Sequence, residues 1–389
     1  MIEASGRAAS RAPILLAAGG TGGHLFPAEA LAAALTQRGI EAHLVTDRRA
    51  ARYGGAFADD AIHVVSSATL RARNPLAMLR TAALLGTGLL EARALIARIK
   101  PAAVIGFGGY PTIPPVLAAV WRGVPSLIHD ANAVIGRANR FLAPRVTAIA
   151  TTFPDVFGGE PGLAAKATLT GNPVRPAVIA AAALPYPAAS DPLRLLIFGG
   201  SQGARIMAEI VPPAVRRLDA GMRARLAVVQ QTREEDLPRV REAYASLSVA
   251  AEVASFFSDL PARMAASHLV VARSGASTVA ELAAIGRPAI LVPLPHALDQ
   301  DQYANAGVLE RAGGAIRLAQ QTFTPQRLAD EITALAAAPA RLAAMAAAAR
   351  SVGRLDAADQ LADLVLKVAA SGATKRSGFD IRSPPAASP

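Results

Sequence analysis

The sequence predicts an α/β protein of two Rossmann-like, parallel-sheet domains, and three observations carry that prediction. Apolar runs of strand length alternate with alanine- and leucine-rich helical stretches along nearly the whole chain, as parallel strands joined by crossover helices require. A buried-strand pattern running into a glycine loop and then a helix occurs twice, ILLAAGGTGGH from Ile14 and LLIFGGSQGAR from Leu195. Between the halves lies NPVRPAVIAAAALPYPAASDP, whose five prolines from Pro173 to Pro192 suit neither a helix interior nor a central strand.

The elements follow in order. In the first half, strands are expected at 14–18, 42–46, 62–66, 103–107, 126–129 and 147–150. In the second they are expected at 193–198, 226–230, 253–256, 269–272, 289–292 and 315–318. Most of these runs are apolar without alternation, as strands covered on both faces are. The expected organisation is a disordered arm over 1–12, a first domain over 13–175, a linker over 176–192, a second domain over 193–353 and a disordered tail over 371–389.

Composition narrows the function. With 389 residues, 52% hydrophobic and 18% charged, the chain has enough apolar material for sizeable cores, which excludes disorder for most of it. It contains no cysteine, so disulfides and thiolate metal sites are excluded, and its six histidines lack metal-ligand spacing. The formal charge of +11, nearly all from arginine, favours an anionic partner or surface. Aromatics are only 4% and no arginine-rich run is present, so no nucleic-acid partner is expected. The polar N-terminus lacks the apolar stretch of a secretory signal. The uncharged run from Pro101 to Trp121 could span a bilayer by length, but four prolines and three glycines break it as a membrane helix.

The chemistry concentrates in the loops. At Gly19-Gly20-Thr21-Gly22-Gly23-His24 the absent side chains let a ligand approach the backbone, and the following helix directs unpaired N–H groups at it. Gly199-Gly200-Ser201-Gln202-Gly203-Ala204 repeats the arrangement with an added hydroxyl donor. An anion suits both, although either could be a tight turn without a ligand. Neither matches G-x-G-x-x-G, which argues against an NAD oxidoreductase. A third loop, Gly106-Phe107-Gly108-Gly109-Tyr110-Pro111, follows the fourth strand and would share a sheet edge with the first, which suggests an interdomain cleft. The segment Arg273-Ser274-Gly275-Ala276-Ser277-Thr278-Val279-Ala280-Glu281 is another strand-to-helix turn. Its glutamate could complement the helix dipole, the reading favoured by the residues alone, or accept hydrogen bonds from a ribose diol. The loop Pro295–Gln302 is rich in amides and carboxylates that suit sugar hydroxyls, or simply solvent.

Seven motifs in one order, GGTGGHLFPA, GFGGYPTIPP, HDAN, TGNPVR, GGSQGAR, RSGASTVAEL and the HALDQDQ loop, closely resemble the MurG family of bacterial peptidoglycan N-acetylglucosaminyltransferases. These are GT-B proteins of glycosyltransferase family 28, and the resemblance runs from about Pro13 to about Ala370. It implies two Rossmann-like domains facing a central cleft, with a last helix near 354–368 packing back on the first. The implied reaction moves GlcNAc from UDP-GlcNAc to the 4-hydroxyl of the muramoyl sugar of lipid I, forming lipid II with inversion, without cofactor or metal. The second domain would hold the donor. Ser201 would contact the diphosphate and Glu281 the ribose diol, while Phe257 stands where the family's backbone recognises uracil. Ala276, Ser277, Thr278 and Val279 would line the nucleotide, Arg175 and Asn132 would be donor contacts, and Gln302, interchangeable with Gln300, would hold GlcNAc hydroxyls. On the first domain Thr21, Gly22 and Gly23, or Gly108, Gly109 and Tyr110, would receive the acceptor pyrophosphate, and His24 is the candidate base. The family usually reads H-E-x-N where this chain has His129-Asp130-Ala131-Asn132, so a catalytic role for Asp130 rests on a carboxylate one methylene shorter.

Lipid I is membrane-anchored, so the resemblance implies a peripheral protein at the cytoplasmic face of the inner membrane, with cell-wall synthesis proteins as possible partners in cell-wall biogenesis and division. The segment LRARNPLAMLR over 70–80, leading into 81–90, offers apolar residues beside three arginines, as an anionic membrane patch or as an ordinary amphipathic crossover helix. Trp121-Arg122 would adjoin it. Two alternatives remain: a UDP-GlcNAc 2-epimerase-like enzyme, which needs no lipid acceptor, and a non-catalytic nucleotide-sugar-binding membrane protein.

Overall fold

The computed structural model describes residues 12–19, 22–48, 57–67, 75–188, 192–200, 203–295 and 300–377. The chain forms two compact units, the first over Met1–Ala131, Ile135–Pro173 and Asp356–Pro389, the second over Asn132–Val134 and Val174–Leu355.

The first unit is built on seven parallel strands: β1 (Ile14–Ala17), β2 (Ala42–Thr46), β3 (Ile62–Val64), β4 (Ala103–Gly106), β5 (Ser126–Asp130), β6 (Ala148–Thr151) and β7 (Ala167–Leu169). Their order is β3-β2-β1-β4-β5-β6-β7, so chain direction across the sheet reverses between β1 and β4. Side chains alternate between two cores, because successive strand residues point to opposite faces. Ile14, Leu16, Ile105 and Leu127 face one way and meet Leu361 and Val365 of the helix Ala357–Ser377. Leu15, Val104, Ile128 and Ile149 face the other way and meet Ile96 and Val116.

The second unit has six parallel strands: β8 (Leu193–Phe198), β9 (Leu226–Gln231), β10 (Ala250–Ala254), β11 (Leu269–Ala272), β12 (Ala289–Leu291) and β13 (Ala315–Arg317). The order β10-β9-β8-β11-β12-β13 reverses between β8 and β11. In doubly wound sheets ligands bind beyond the carboxyl ends of the strands at such a reversal. Here the glycine loops leave β1 and β4 in one sheet, and β8 in the other. The fourth, serine-rich turn leaves β11.

Four differences from expectation have local causes. Strand β7 has no counterpart among the expected strands, since it is a three-residue edge strand with Thr168 and Leu169 exposed and so lacks a buried-strand signature. Strand β10 lies three residues earlier than the apolar run 253–256, whose Phe256 is 68% exposed beyond the strand's end. The stretch expected as linker contains a helix, Pro176–Ala182, because its first proline occupies the opening turn, where no N–H partner is needed. The last helix runs to Ser377, seven residues into the expected tail, a stretch with no proline to stop it. Gly372 on it faces Pro125, where an added Cβ would come within 2.1 Å of Cγ. The arm over 1–11 and the tail beyond 377 lie outside the described residues.

The glycine loop after β8 is specified sterically. A Cβ on Gly199 would stand 2.2 Å from the backbone nitrogen and 2.5 Å from Cβ of Ala204, both held by the fold. Gly199→Ala is therefore expected to cost about 3 kcal/mol of stability, the upper part of the range for overpacking. Thermal unfolding checks this, with Gly162→Ala as the neutral control, since nothing lies within 4 Å of that position.

Candidate functional site

In the first unit, the chain leaves β1 and enters the helix Gly22–Gln37 with Gly22 and Gly23 as its opening residues and half-buried His24 third. The imidazole packs against the loop after β4. A Cβ on Gly108 would lie 3.1 Å from Cε1 of His24, and one on Gly109 would lie 3.4 Å from its Cδ2. Both glycines have positive φ, +97° and +76°, so this close approach depends on residues without side chains. The buried Thr112 hydroxyl donates to the Gly108 carbonyl at 2.6 Å and braces the loop. Tyr110 turns to an apolar cavity of about 420 Å³ that Leu85, Leu89, Ile113, Leu117 and Phe141 also line.

The end of β5 supports the same region. Asp130 is buried, and its Oδ2 accepts from the Gly136 backbone N–H at 2.9 Å and from Asn139 Nδ2 at 3.0 Å. Asn139 also donates to the His129 carbonyl. These bonds of Asp130 organise the turn that opens the helix Arg137–Leu142. They give the carboxylate a structural task the sequence did not reveal. Asn139, which carries no signal within the GRANR stretch, is the residue that ties it in.

His129 is fully buried. Burial, opposed by its hydrogen bond to the Gly171 carbonyl and assisted by the nearby His24, lowers its pKa to about 4. Neutral at pH 7, it donates from Nε2 to that carbonyl at 3.1 Å. Between pH 6.5 and about 4 the unfolded chain therefore binds a proton that the native state refuses, so stability falls as pH falls. The loss should reach about 3 kcal/mol near pH 4 and then level off. Urea denaturation at a series of pH values checks it. His129→Gln should flatten most of the slope, leaving a smaller part of the same sign from His63, whose pKa is also lowered, chiefly by burial.

In the second unit Gly275 caps the helix Ala276–Ile285, three residues after the end of β11. Ala276 and Val279 are buried, Ser277 and Thr278 half-buried. The Ser277 hydroxyl is enclosed, with no hydrogen-bond partner among the described residues. Glu281 sits beyond the first turn, where the dipole has faded. Its carboxylate is buried and receives a hydrogen bond from Arg175 Nη2 at 3.0 Å. Burial raises the Glu281 pKa and the guanidinium opposes the rise. Its local partner is thus the Arg175 cation rather than the helix terminus.

The neighbouring segments are cross-tied. Arg273, which the sequence showed only as the start of a motif, is buried and donates to the carbonyls of Val292 and Pro293 and to Gln320 Oε1. Ser274 donates to the Gln302 carbonyl at 2.8 Å, and the side-chain oxygen of Gln302 accepts from the Leu294 N–H at 3.0 Å. The Gln302 side-chain oxygen is thus tied to the backbone of the preceding loop. Gln300 is exposed at φ +52°. Phe257 is buried under the Arg263 guanidinium, 4.2 Å from its ring centre. Asn132 lies in this unit with its Oδ1 bonded to Asn305. Thr21, Ser201 and residues 296–299 fall outside the described residues. Among the described residues, no group of three or more histidines and carboxylates is placed to hold a metal ion.

Comparison with known proteins adds to this geometry. The profile of the glycosyltransferase family 28 N-terminal domain matches residues 14–151, and that of the family 28 C-terminal domain matches 194–361. A UDP-N-acetylglucosamine–N-acetylmuramyl-(pentapeptide) pyrophosphoryl-undecaprenol N-acetylglucosamine transferase of Rhodopseudomonas palustris (strain BisB18) is 66% identical over 358 residues, covering 92% of this chain and 96% of the relative. One of the same name from Nitrobacter winogradskyi is 61% identical, covering 92% and 98%. The crystal structure of Acinetobacter baumannii MurG superposes with a TM-score of 0.74 at 30% identity, covering 91% of this chain and 99% of that one. A Neisseria meningitidis UDP-GlcNAc 2-epimerase bound to UDP-GlcNAc shares the fold at 14% identity, with a TM-score of 0.65 and coverage of 91% and 100%.

Proposed function

The chain belongs to glycosyltransferase family 28, and from that premise we infer that it is the UDP-GlcNAc-dependent transferase that adds GlcNAc to lipid I to form lipid II. The acceptor 4-hydroxyl oxygen forms the new bond to the GlcNAc anomeric carbon as the bond from that carbon to the diphosphate oxygen breaks, which inverts the centre. The hydroxyl proton goes to a base and UDP carries off the negative charge.

The observation that supports the donor reading most is the edge of the second sheet at its β8/β11 reversal. There Glu281 is buried and paired with Arg175, beside the enclosed Ser277 hydroxyl without a described partner. A ribose diol would satisfy the carboxylate, and a diphosphate would satisfy the guanidinium and the helix N–H groups. Phe257 and 276–279 would border the nucleotide, Ser201 the diphosphate, Asn132 the donor, and Gln302 the GlcNAc hydroxyls. In the first unit His24 is the candidate base, with Gly22, Gly23 and the Gly108–Gly109 loop as the acceptor-side surface. We assign no metal to the reaction, and turnover should survive chelation with EDTA.

The experiment is UDP release from UDP-GlcNAc with and without a soluble lipid I analogue. Acceptor-dependent release supports the transferase. Acceptor-independent conversion of the sugar would indicate an epimerase, and binding without turnover would indicate a non-catalytic protein.

A site at the inner membrane face is supported by the exposed apolar side chains Met78, Leu79 and Leu90 on the helix Pro75–Ile99, with exposed Arg80 beside them. Trp121 and Phe141 are exposed in the same unit, and Arg145 lies over the Phe141 ring. Arg71 and Arg73 lie outside the described residues. No single described helix is long and apolar enough to cross a membrane. Flotation with anionic vesicles should show binding that weakens about tenfold in Leu79→Glu/Leu90→Glu and with rising salt. Unchanged flotation would reject this surface.

A further inference from the structure

We infer that Asn305 is a positioning residue for donor recognition, acting through Asn132. This rests on the reading of Asn132 as a donor contact. Asn305 lies on the helix Asp301–Ala312 and its side chain is wholly buried. Its Oδ1 accepts from the Ala133 backbone N–H at 2.8 Å. Its Nδ2 donates to Asn132 Oδ1 at 3.0 Å and to the Ser274 carbonyl at 3.3 Å. Both ends of one carboxamide are therefore engaged. It ties the loop Asn132–Val134 to the turn after β11, whose next residue, Gly275, opens the helix that carries Ser277 and Glu281.

The chemistry of the tie sets what Asn132 can offer. Because its oxygen faces the Asn305 amide, its NH₂ end is turned away from Asn305. The donating end of Asn132 is thus the end directed away from Asn305, and donors suit a ligand rich in phosphate and carbonyl oxygens. Only a side chain that both accepts and donates at this point holds that orientation. A carboxylate at 305 keeps the bond to the Ala133 N–H but cannot donate. Asn132 would then rotate its amide, giving its NH₂ to residue 305 and its oxygen to the ligand. A polar group fixed in a buried network gains specificity from this kind of closure.

The test compares wild type with Asn132→Ala, Asn305→Ala, Asn305→Asp and the Asn132→Ala/Asn305→Ala double variant. The readouts are UDP-GlcNAc KM, kcat, UDP affinity by calorimetry and thermal midpoint. We expect Asn305→Ala to raise donor KM about tenfold with kcat within about threefold, and the double variant to be no worse than Asn132→Ala alone. Asn305→Asp, which puts an unpaired carboxylate at a buried position, should lower the thermal midpoint and raise donor KM as much as Asn305→Ala does while kcat stays within about threefold, a KM-against-kcat split that a purely structural role would not produce. If Asn132→Ala impairs donor binding but both 305 variants leave it unchanged, or if the two sites' effects multiply, the inference is overturned. If Asn132→Ala itself leaves donor binding intact, the donor-contact reading of Asn132 fails and takes the inference with it.

Discussion

Replacing His24 by alanine is expected to lower kcat by about 10²–10⁴-fold, the range over which a positioned acid or base contributes, while UDP-GlcNAc affinity changes less than about threefold. The separation follows from where His24 sits, on the first unit's glycine-loop face, whereas Arg175, Ser277 and Glu281 all belong to the second unit. Donor calorimetry beside steady-state turnover checks it. Equal losses in both would make His24 a structural residue of the loop. His24→Gln keeps a hydrogen-bonding side chain of similar reach without a titrating nitrogen, so it should be nearly as slow as the alanine variant.

Arg175→Ala should produce the largest loss of stability among changes at the donor edge. It leaves the buried Glu281 carboxylate without its cation, a defect that costs about 3–5 kcal/mol. Protonation of Glu281 relieves part of that cost. Its folded pKa is already raised by burial, and removing Arg175, which opposes the rise, lifts it further. A group whose folded pKa lies above its unfolded value favours the native state most below the unfolded pKa and loses that contribution as pH rises through the folded pKa. The destabilisation should therefore shrink as pH is lowered toward the ordinary carboxylate range and be largest near neutrality. Adding Glu281→Gln to Arg175→Ala should restore much of the stability but not donor affinity, because both of the proposed donor contacts are then missing. Denaturant midpoints across pH, with UDP-GlcNAc calorimetry, separate the two effects, and a pH-independent loss would reject the buried-charge account.

The fold was legible because parallel strands covered on both faces must be continuously apolar. Leu193–Phe198 and Leu269–Ala272 match their expected spans for that reason. The edge strand Ala167–Leu169 was not legible, since an edge strand needs no such run. At the site, glycines declared themselves because a glycine next to a strand end has few uses besides a turn or a close approach. Asn305 and Asn139 did not, since an asparagine on a helix reads the same whether it faces water or closes a buried network.

By itself, then, the sequence determined two parallel α/β halves, the loops at their strand ends and, through seven ordered motifs, the family. These depend on local pattern: apolar runs, missing side chains and residue order. The tertiary structure alone decided what each polar group meets. It paired Glu281 with Arg175, committed the Gln302 oxygen to Leu294, turned Asp130 toward its own loop and gave Asn305 both Asn132 and Ser274. Burial and hydrogen-bond partners are set by residues distant in the chain, and a polar side chain takes its role from them.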